Sequence, residues 1–287
     1  MERMPIMAKN KTYQLGLYEK AMPGTLTWEE KLNAAKEAGF DYVEISIDET
    51  DAKLARIEAN DPTLNEVKAA IEQTGVPVLS MCLSGHRKYP LGSHDPKVRE
   101  RALDIMEKAC VFASKLGLRI IQLAGYDVYY EERDDSTVAQ FSQNLKACVC
   151  IASKYGIILA FETMETLFMD TATKSMTYVR ENDSPYLQIY PDLGNLTNAS
   201  RISKISVEDD LRNAKGHIVA AHLKEIVEGK YREIPFGTGD THYESGIREL
   251  KKQGVALFTG EFWYVGNPNW KADLIFANDY LRKKIEA

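Results

Sequence analysis

The 287-residue sequence predicts a single-domain α/β protein folded as a (β/α)8 TIM barrel, and three observations carry that prediction. From Tyr13 onward, short apolar runs alternate with longer amphipathic stretches about eight times, the number that closes a parallel barrel. Several amphipathic stretches stop at a glycine, at Gly39, Gly75, Gly117 or Gly156, where a left-handed cap precedes the next strand. Nothing between the units reads as a linker, and no low-complexity tract breaks the rhythm. The barrel is assigned to residues 13–287 and an N-terminal extension, expected to be poorly ordered, to residues 1–12. A doubly wound open sheet uses the same alternation. The loop "GLYEKAMPG" after the first strand has neither the glycine spacing nor the immediate helix entry of a dinucleotide fingerprint.

Taken in order, the first strand is "YQLGLYE", and the helix after it is "TWEEKLNAAKEAG". The second unit pairs "FDYVEIS" with "PTLNEVKAAIEQTG", the third "VPVLSMCL" with "PKVRERALDIMEKACVFASKLG", and the fourth "RIIQLAG" with "TVAQFSQNLKACVCIASKYG". In each helix the apolar residues recur at helical spacing. The remaining strands are read in "IILAFET", "LQIYPDLGN", "HIVAAHLKE" and "VALFTGEFW".

Composition narrows the partners. Hydrophobic residues at 44% and charged residues at 27% support a large core beneath a solvated surface. The net charge of −6 argues against a duplex-binding face, because phosphate contacts need clustered Lys and Arg. The cysteines Cys82, Cys110, Cys148 and Cys150 have no CxxC spacing, so they read as buried free thiols of a cytoplasmic protein rather than a metal knuckle or disulfide framework. The start "MERMPIMAKNK" lacks the apolar core of a signal peptide, and no run approaches a bilayer span, so no membrane partner is expected.

In a barrel the C-terminal strand ends converge on one mouth. The last four strands deliver Glu162, Asp192, His222 and Glu261 to it. Three carboxylates and an imidazole crowded together repel one another, and a divalent cation turns that repulsion into binding. One His among carboxylates suits Mg²⁺, Mn²⁺, Co²⁺ or Zn²⁺, and ligand type does not choose among them. Each residue alone has an ordinary alternative: a strand-end Asp caps turns, and a His is satisfied by neighbours. Glu165 would line the same mouth, holding a substrate hydroxyl or orienting a ligand, unless it is an exposed loop carboxylate.

The stretches "LGLYEKAMP", "FDYVEISIDETDAKLARI", "VLSMCLSGHRKYPLGS", "IIQLAGYDVYYEE", "YPDLGNLTNAS" and "HIVAAHLKE" together resemble the L-xylulose-5-phosphate (L-ribulose-5-phosphate) 3-epimerase family of ascorbate and pentose catabolism, among the xylose-isomerase-like barrels. The resemblance runs from Leu15 to the C-terminal helix. It implies a divalent metal ion on Glu162, Asp192, His222 and Glu261, with Glu162 and Glu261 also serving as acid and base. Three stretches depart from the family pattern. "FETMETLFMDT" replaces a Glu-x-Met-Asp motif followed later by Asn, "GTGDTHYES" places His242 where an Asp is expected, and "GEFW" replaces Glu-Met-Trp. The ligands are intact, and the departures fall on the substrate's finer contacts. Family members often self-associate, which implies a homodimer.

Epimerisation at C3 of a 2-ketose phosphate removes a proton beside a carbonyl, and the resulting enediolate needs positive charge next to its oxygens. A phosphorylated substrate also needs a cationic pocket, for which the loop residues Lys20, Ser84, His86 and Arg87 are candidates, with Lys224 and Arg232 beyond the seventh strand. Glu44 and Gln122, at the ends of strands two and four, could hold sugar hydroxyls. Other readings of such a barrel are a hexulose-6-phosphate or other sugar-phosphate isomerase, an abasic-site endonuclease, and a non-catalytic sugar-phosphate binder. The endonuclease would need several more His ligands than the five His of this chain provide.

Overall fold

A computed structural model describes residues 11–287. Eight parallel strands form one sheet: β1 (Gln14–Tyr18), β2 (Tyr42–Ile47), β3 (Val78–Leu83), β4 (Ile120–Ala124), β5 (Ile158–Glu162), β6 (Leu187–Ile189), β7 (Ala221–Leu223) and β8 (Leu257–Gly260). Their order is β6-β5-β4-β3-β2-β1-β8-β7. β6 and β7 share no regular ladder. They meet through single parallel bridges at Ile189–Ile218 and Asp192–His222, where the His222 amide donates to the Pro191 carbonyl at 2.9 Å, and this seam closes the barrel. Two of the four expected metal ligands therefore face each other across it.

The helices outside are α1 (Trp28–Glu37), α2 (Asp51–Ala55), α3 (Thr63–Thr74), α4 (Pro96–Leu116), α5 (Asp135–Tyr155), α6 (Ala172–Asn182), α7 (Leu193–Ser203), α8 (Val207–Asn213), α9 (Tyr243–Lys252) and α10 (Trp270–Glu286). The expected glycine stops hold: Gly39, Gly75, Gly117 and Gly156 have φ of 90°, 72°, 86° and 66°. Three features differ from the sequence reading. The short helices α2 and α8 are additional, and too brief to show an amphipathic period. β6 is only three residues long, because Asp192 leaves the strand to cap α7. Cys150 is exposed, whereas Cys82, Cys110 and Cys148 are buried free thiols as expected. Most of the expected N-terminal extension, residues 1–10, lies outside the described residues. Among those described, no helix is long and apolar enough to cross a membrane.

Inside the barrel, polar groups fill a layer below the mouth. Tyr42 and Tyr190 reach Thr259 Oγ1 at 2.8 and 2.7 Å, and Tyr190 donates on to Glu44 at 3.0 Å. Gly16 makes room for this layer, since a Cβ there would stand 2.2 Å from the Tyr42 ring. Replacing Gly16 by Ala is expected to push Tyr42 off Thr259 and destabilise the fold by about 1–3 kcal/mol, read as a lower urea midpoint with unchanged slope.

The turn after β1 is anchored by a buried ionic cluster. Glu19, 2% exposed, accepts from Lys31 at 2.8 Å, Lys53 at 2.6 Å, Arg56 at 2.8 Å and the Ser46 amide at 2.9 Å. Burial opposes its charge, yet the three cations outweigh burial and hold its carboxyl well below the usual range. Lys53, one of three cations sharing a single carboxylate, is brought down to about 8 by burial, which the attraction of Glu19 only partly offsets. The next residue, Lys20, is thereby aimed at the mouth.

Candidate metal centre

Glu162 ends β5, Asp192 follows β6, His222 lies within β7 and Glu261 follows β8. All four are buried, and one ligand atom from each lies within 4.8 Å of the others. A single ion with metal–oxygen and metal–nitrogen bonds of about 2.0–2.2 Å spans such a group after a small contraction. The donor set fits a divalent ion on a further count: Asp192 Oδ2 is buried and makes no hydrogen bond among the described residues. Buried acceptors without a donor are costly unless something positive meets them.

Asp192 reconciles both sequence readings. Its Oδ1 caps α7 by accepting the Asn195 amide at 2.6 Å, and its Oδ2 is left for the centre. Burial pushes its carboxyl up to about 7, which Lys224 opposes and the charges of Glu261 and Glu162 reinforce. Burial works the same way on Glu261, but there Lys224 and His222 outweigh it and hold the carboxyl below its usual value. For His222 burial disfavours the imidazolium, and the carboxylates of Glu44, Glu261 and Glu162 overcome it, raising the ring well above its ordinary range. The neighbouring carboxylates thus raise Asp192 and His222, while the nearby cations lower Glu261.

The supporting residues are as informative. His222 Nε2 lies 2.7 Å from Glu44 Oε1, which leaves Nδ1, 3.3 Å from Glu162 Oε1, as the nitrogen facing the cluster. Glu44 is fixed in turn by Ser80 at 2.6 Å and Tyr190 at 3.0 Å. Gln122 donates to Glu162 Oε2. Partners of this kind fix ligand orientation, so Glu44→Gln is expected to weaken divalent-ion binding by about 10–100-fold while secondary structure persists, measured by equilibrium metal titration and circular dichroism.

A cleft opens above the four residues. Among the candidates for substrate contact, Lys20, Ser84, Arg87, Glu165, Lys224 and Arg232 line it, together with Glu162 and Glu261. Glu44 and Gln122 do not; they are fully buried and contact His222 and Glu162 instead of facing the cleft. His86 is turned away as well, its Nε2 3.0 Å from the Ala102 carbonyl of α4, and burial drops its pKa to about 4. An uncharged histidine packed against a helix offers nothing to a phosphate. Glu165 accepts from Tyr126 at 2.7 Å, with Arg232 at 3.5 Å.

The sequence reading passed over Tyr18, Cys82, Met164, Tyr231 and Trp263, which also line the cleft. Tyr18 ends β1, and Cys82 points inward one residue before the end of β3, so the strand-end rule that found the ligands reaches these two. Met164, Tyr231 and Trp263 sit in loops, where no periodicity marks them.

Comparison with known proteins agrees with this architecture. The model of the xylose isomerase-like TIM barrel family matches residues 32–283. L-ribulose-5-phosphate 3-epimerase UlaE of Salmonella paratyphi C is 41% identical over 277 residues, 96% of either chain, and its counterpart in Salmonella paratyphi A is 40% identical over the same share. Among solved structures, a D-tagatose 3-epimerase-like protein superposes with a TM-score of 0.77 at 16% identity, covering 95% of this chain and 97% of its own. The 3-keto-D-glucoside 4-epimerase YcjR of E. coli gives 0.74 at 20% identity, over 93% and 99%. At such identities the structural matches establish the fold alone. Family model and full-length relatives together place the chain in the L-ribulose-5-phosphate 3-epimerase family of the xylose isomerase-like TIM barrels.

Proposed function

We propose that this protein is a metal-dependent 3-epimerase interconverting L-xylulose 5-phosphate and L-ribulose 5-phosphate. The observation that carries the reading is the pair Glu162 and Glu261, delivered by β5 and β8, three strands apart around the barrel, to one four-residue cluster at the floor of a cationic cleft. The relatives' name supplies the substrate class.

Glu162, Asp192, His222 and Glu261 would hold a divalent cation, which would supply the positive charge that acidifies a proton next to a carbonyl. One glutamate takes that proton from its face of the sugar. The other, protonated, returns one from the opposite face, so configuration inverts and no atom is gained or lost. In the reverse direction the two exchange roles. Asp192 and His222 would anchor the ion, and Glu44 and Gln122 fix His222 and Glu162 beside it.

The phosphate is assigned to Lys20, Ser84 and Arg87. Arg87 lines the cleft and lies over the rings of Tyr126 and Tyr129 at 5.8 and 5.0 Å, which hold its guanidinium in place for an anion. Lys20 is held at 2.5 Å by Asp48.

Incubation with L-xylulose 5-phosphate in D₂O tests the reading directly. Deuterium is expected at C3 of both epimers. Exchange confined to C1 or C2 would identify a ketose–aldose isomerase instead, and no exchange with any ketose phosphate would leave a binder.

A further inference from the structure

Lys224 stands one residue past the end of β7, and its contacts with Asp192 and Glu261 show that its side chain, like that of His222, turns into the barrel. The lysine is buried, with its ammonium 3.5 Å from Asp192 Oδ1 and 3.2 Å from Glu261 Oε2. Those carboxylates come from β6 and β8, the strands on either side of β7, so Lys224 bridges its own neighbours across the centre. Its backbone is pinned: Thr241 Oγ1 donates to the Lys224 carbonyl at 2.8 Å, and the adjoining Glu225 accepts the Gly237 amide at 2.8 Å.

Charge balance gives the contact its meaning. Glu162, Asp192 and Glu261 bring three negative charges and Glu44, 2.7 Å from His222, a fourth, against the two positive charges of a dication, so with a neutral His222 the loaded centre keeps surplus negative charge. An anionic sugar phosphate would meet that charge in a buried site, where screening is weak. Lys224 offsets part of it.

We propose that Lys224 is a positioning residue that competes with the bound dication for Asp192 and Glu261 and offsets part of the surplus charge of the centre, holding the metal less tightly so that Glu261 stays aimed at the substrate. This rests on the metal reading above, and its consequence has an unusual sign. A lysine that merely supported the fold would, when removed, weaken metal binding and turnover together. A competing cation, when removed, strengthens the first and impairs the second.

The test is a calorimetric titration of the full-length protein, stripped by chelator, with Mn²⁺, alongside steady-state kinetics. Lys224→Met is expected to bind Mn²⁺ about tenfold more tightly or better, since one unit positive charge is lost beside two ligands. Its kcat for epimerisation is expected to fall at least tenfold, the order of a misplaced acid–base group. Lys224→Arg, which keeps the charge, should return Mn²⁺ affinity to near the wild-type value. Equal or weaker Mn²⁺ binding by Lys224→Met would overturn the proposal. If that variant melts too low to titrate, Lys224→Gln decides by the same criterion. A wild-type protein that binds no Mn²⁺ or Zn²⁺ would overturn the metal reading itself, and this inference with it.

Discussion

Replacing either Glu162 or Glu261 by glutamine is expected to lower epimerisation by about 10²–10⁴-fold, the range that positioned acid–base groups contribute. Glutamine keeps the size of the side chain and one oxygen, so the barrel and much of the ion affinity should survive. What is lost is the capacity to carry a proton. The two variants differ in a way that separates base from acid. In D₂O, the variant whose missing carboxylate faces the C3 proton of L-xylulose 5-phosphate should lose exchange altogether. The variant lacking the returning acid can still exchange that proton with solvent while failing to invert the carbon. With L-ribulose 5-phosphate the pattern should swap, because each glutamate serves the other epimer in the opposite sense. Metal content by atomic spectroscopy belongs beside each assay. A variant that turns over normally with its metal in place would remove that residue from the mechanism.

Removing Glu19 is expected to cause the largest loss of stability of any single change to a charged group in this fold, about 3–5 kcal/mol for Glu19→Ala, because it strands buried charge. Lys31 is 2% exposed and has the Glu19 carboxylate 2.8 Å away, while Lys53 and Arg56 converge on the same group. Without it three cations repel one another in a site shielded from water. The pH dependence has a definite sign. The folded carboxyl of Glu19 sits far below its unfolded value, so its contribution is fully present above roughly pH 4.3 and is lost as pH falls through the folded value in strong acid. Lys53 acts at the other end. Its folded value of about 8 lies below the unfolded one, so between about pH 8 and 10.4 the unfolded chain binds more protons and stability rises with pH. Guanidinium would screen these charges, so urea melts of wild type and Glu19→Ala across pH are the proper measurement. Because Glu19 precedes Lys20, the variant should also raise KM for the phosphorylated substrate.

The barrel itself was legible along the chain, for reasons that are local. Strand-to-helix alternation is a matter of hydrophobic period, and the stops at Gly39, Gly75, Gly117 and Gly156 follow from a backbone conformation that L-residues with a Cβ avoid. The candidate ligands were legible too, since strand ends in a parallel barrel have only one place to go. The three expected residues that do not line the cleft share a cause. Glu44, Gln122 and His86 were each placed by position along a strand or loop, which says that a side chain is near the mouth but not which way it turns. In β2 and β4 the inward positions of Glu44 and Gln122 lie deep enough that their side chains meet His222 and Glu162 before they meet solvent.

Chain order alone thus determined eight repeating units, a parallel sheet and four acidic or imidazole groups at its rim, because each depends on residue spacing within one element. Tertiary packing decided the rest: the irregular β6–β7 seam that sets Asp192 against His222, the division of Asp192 between a helix cap and the centre, and the burial of Lys224 among carboxylates. Those features depend on distances between residues far apart in sequence. Desolvation and unlike charge fix such distances only once the whole barrel has closed.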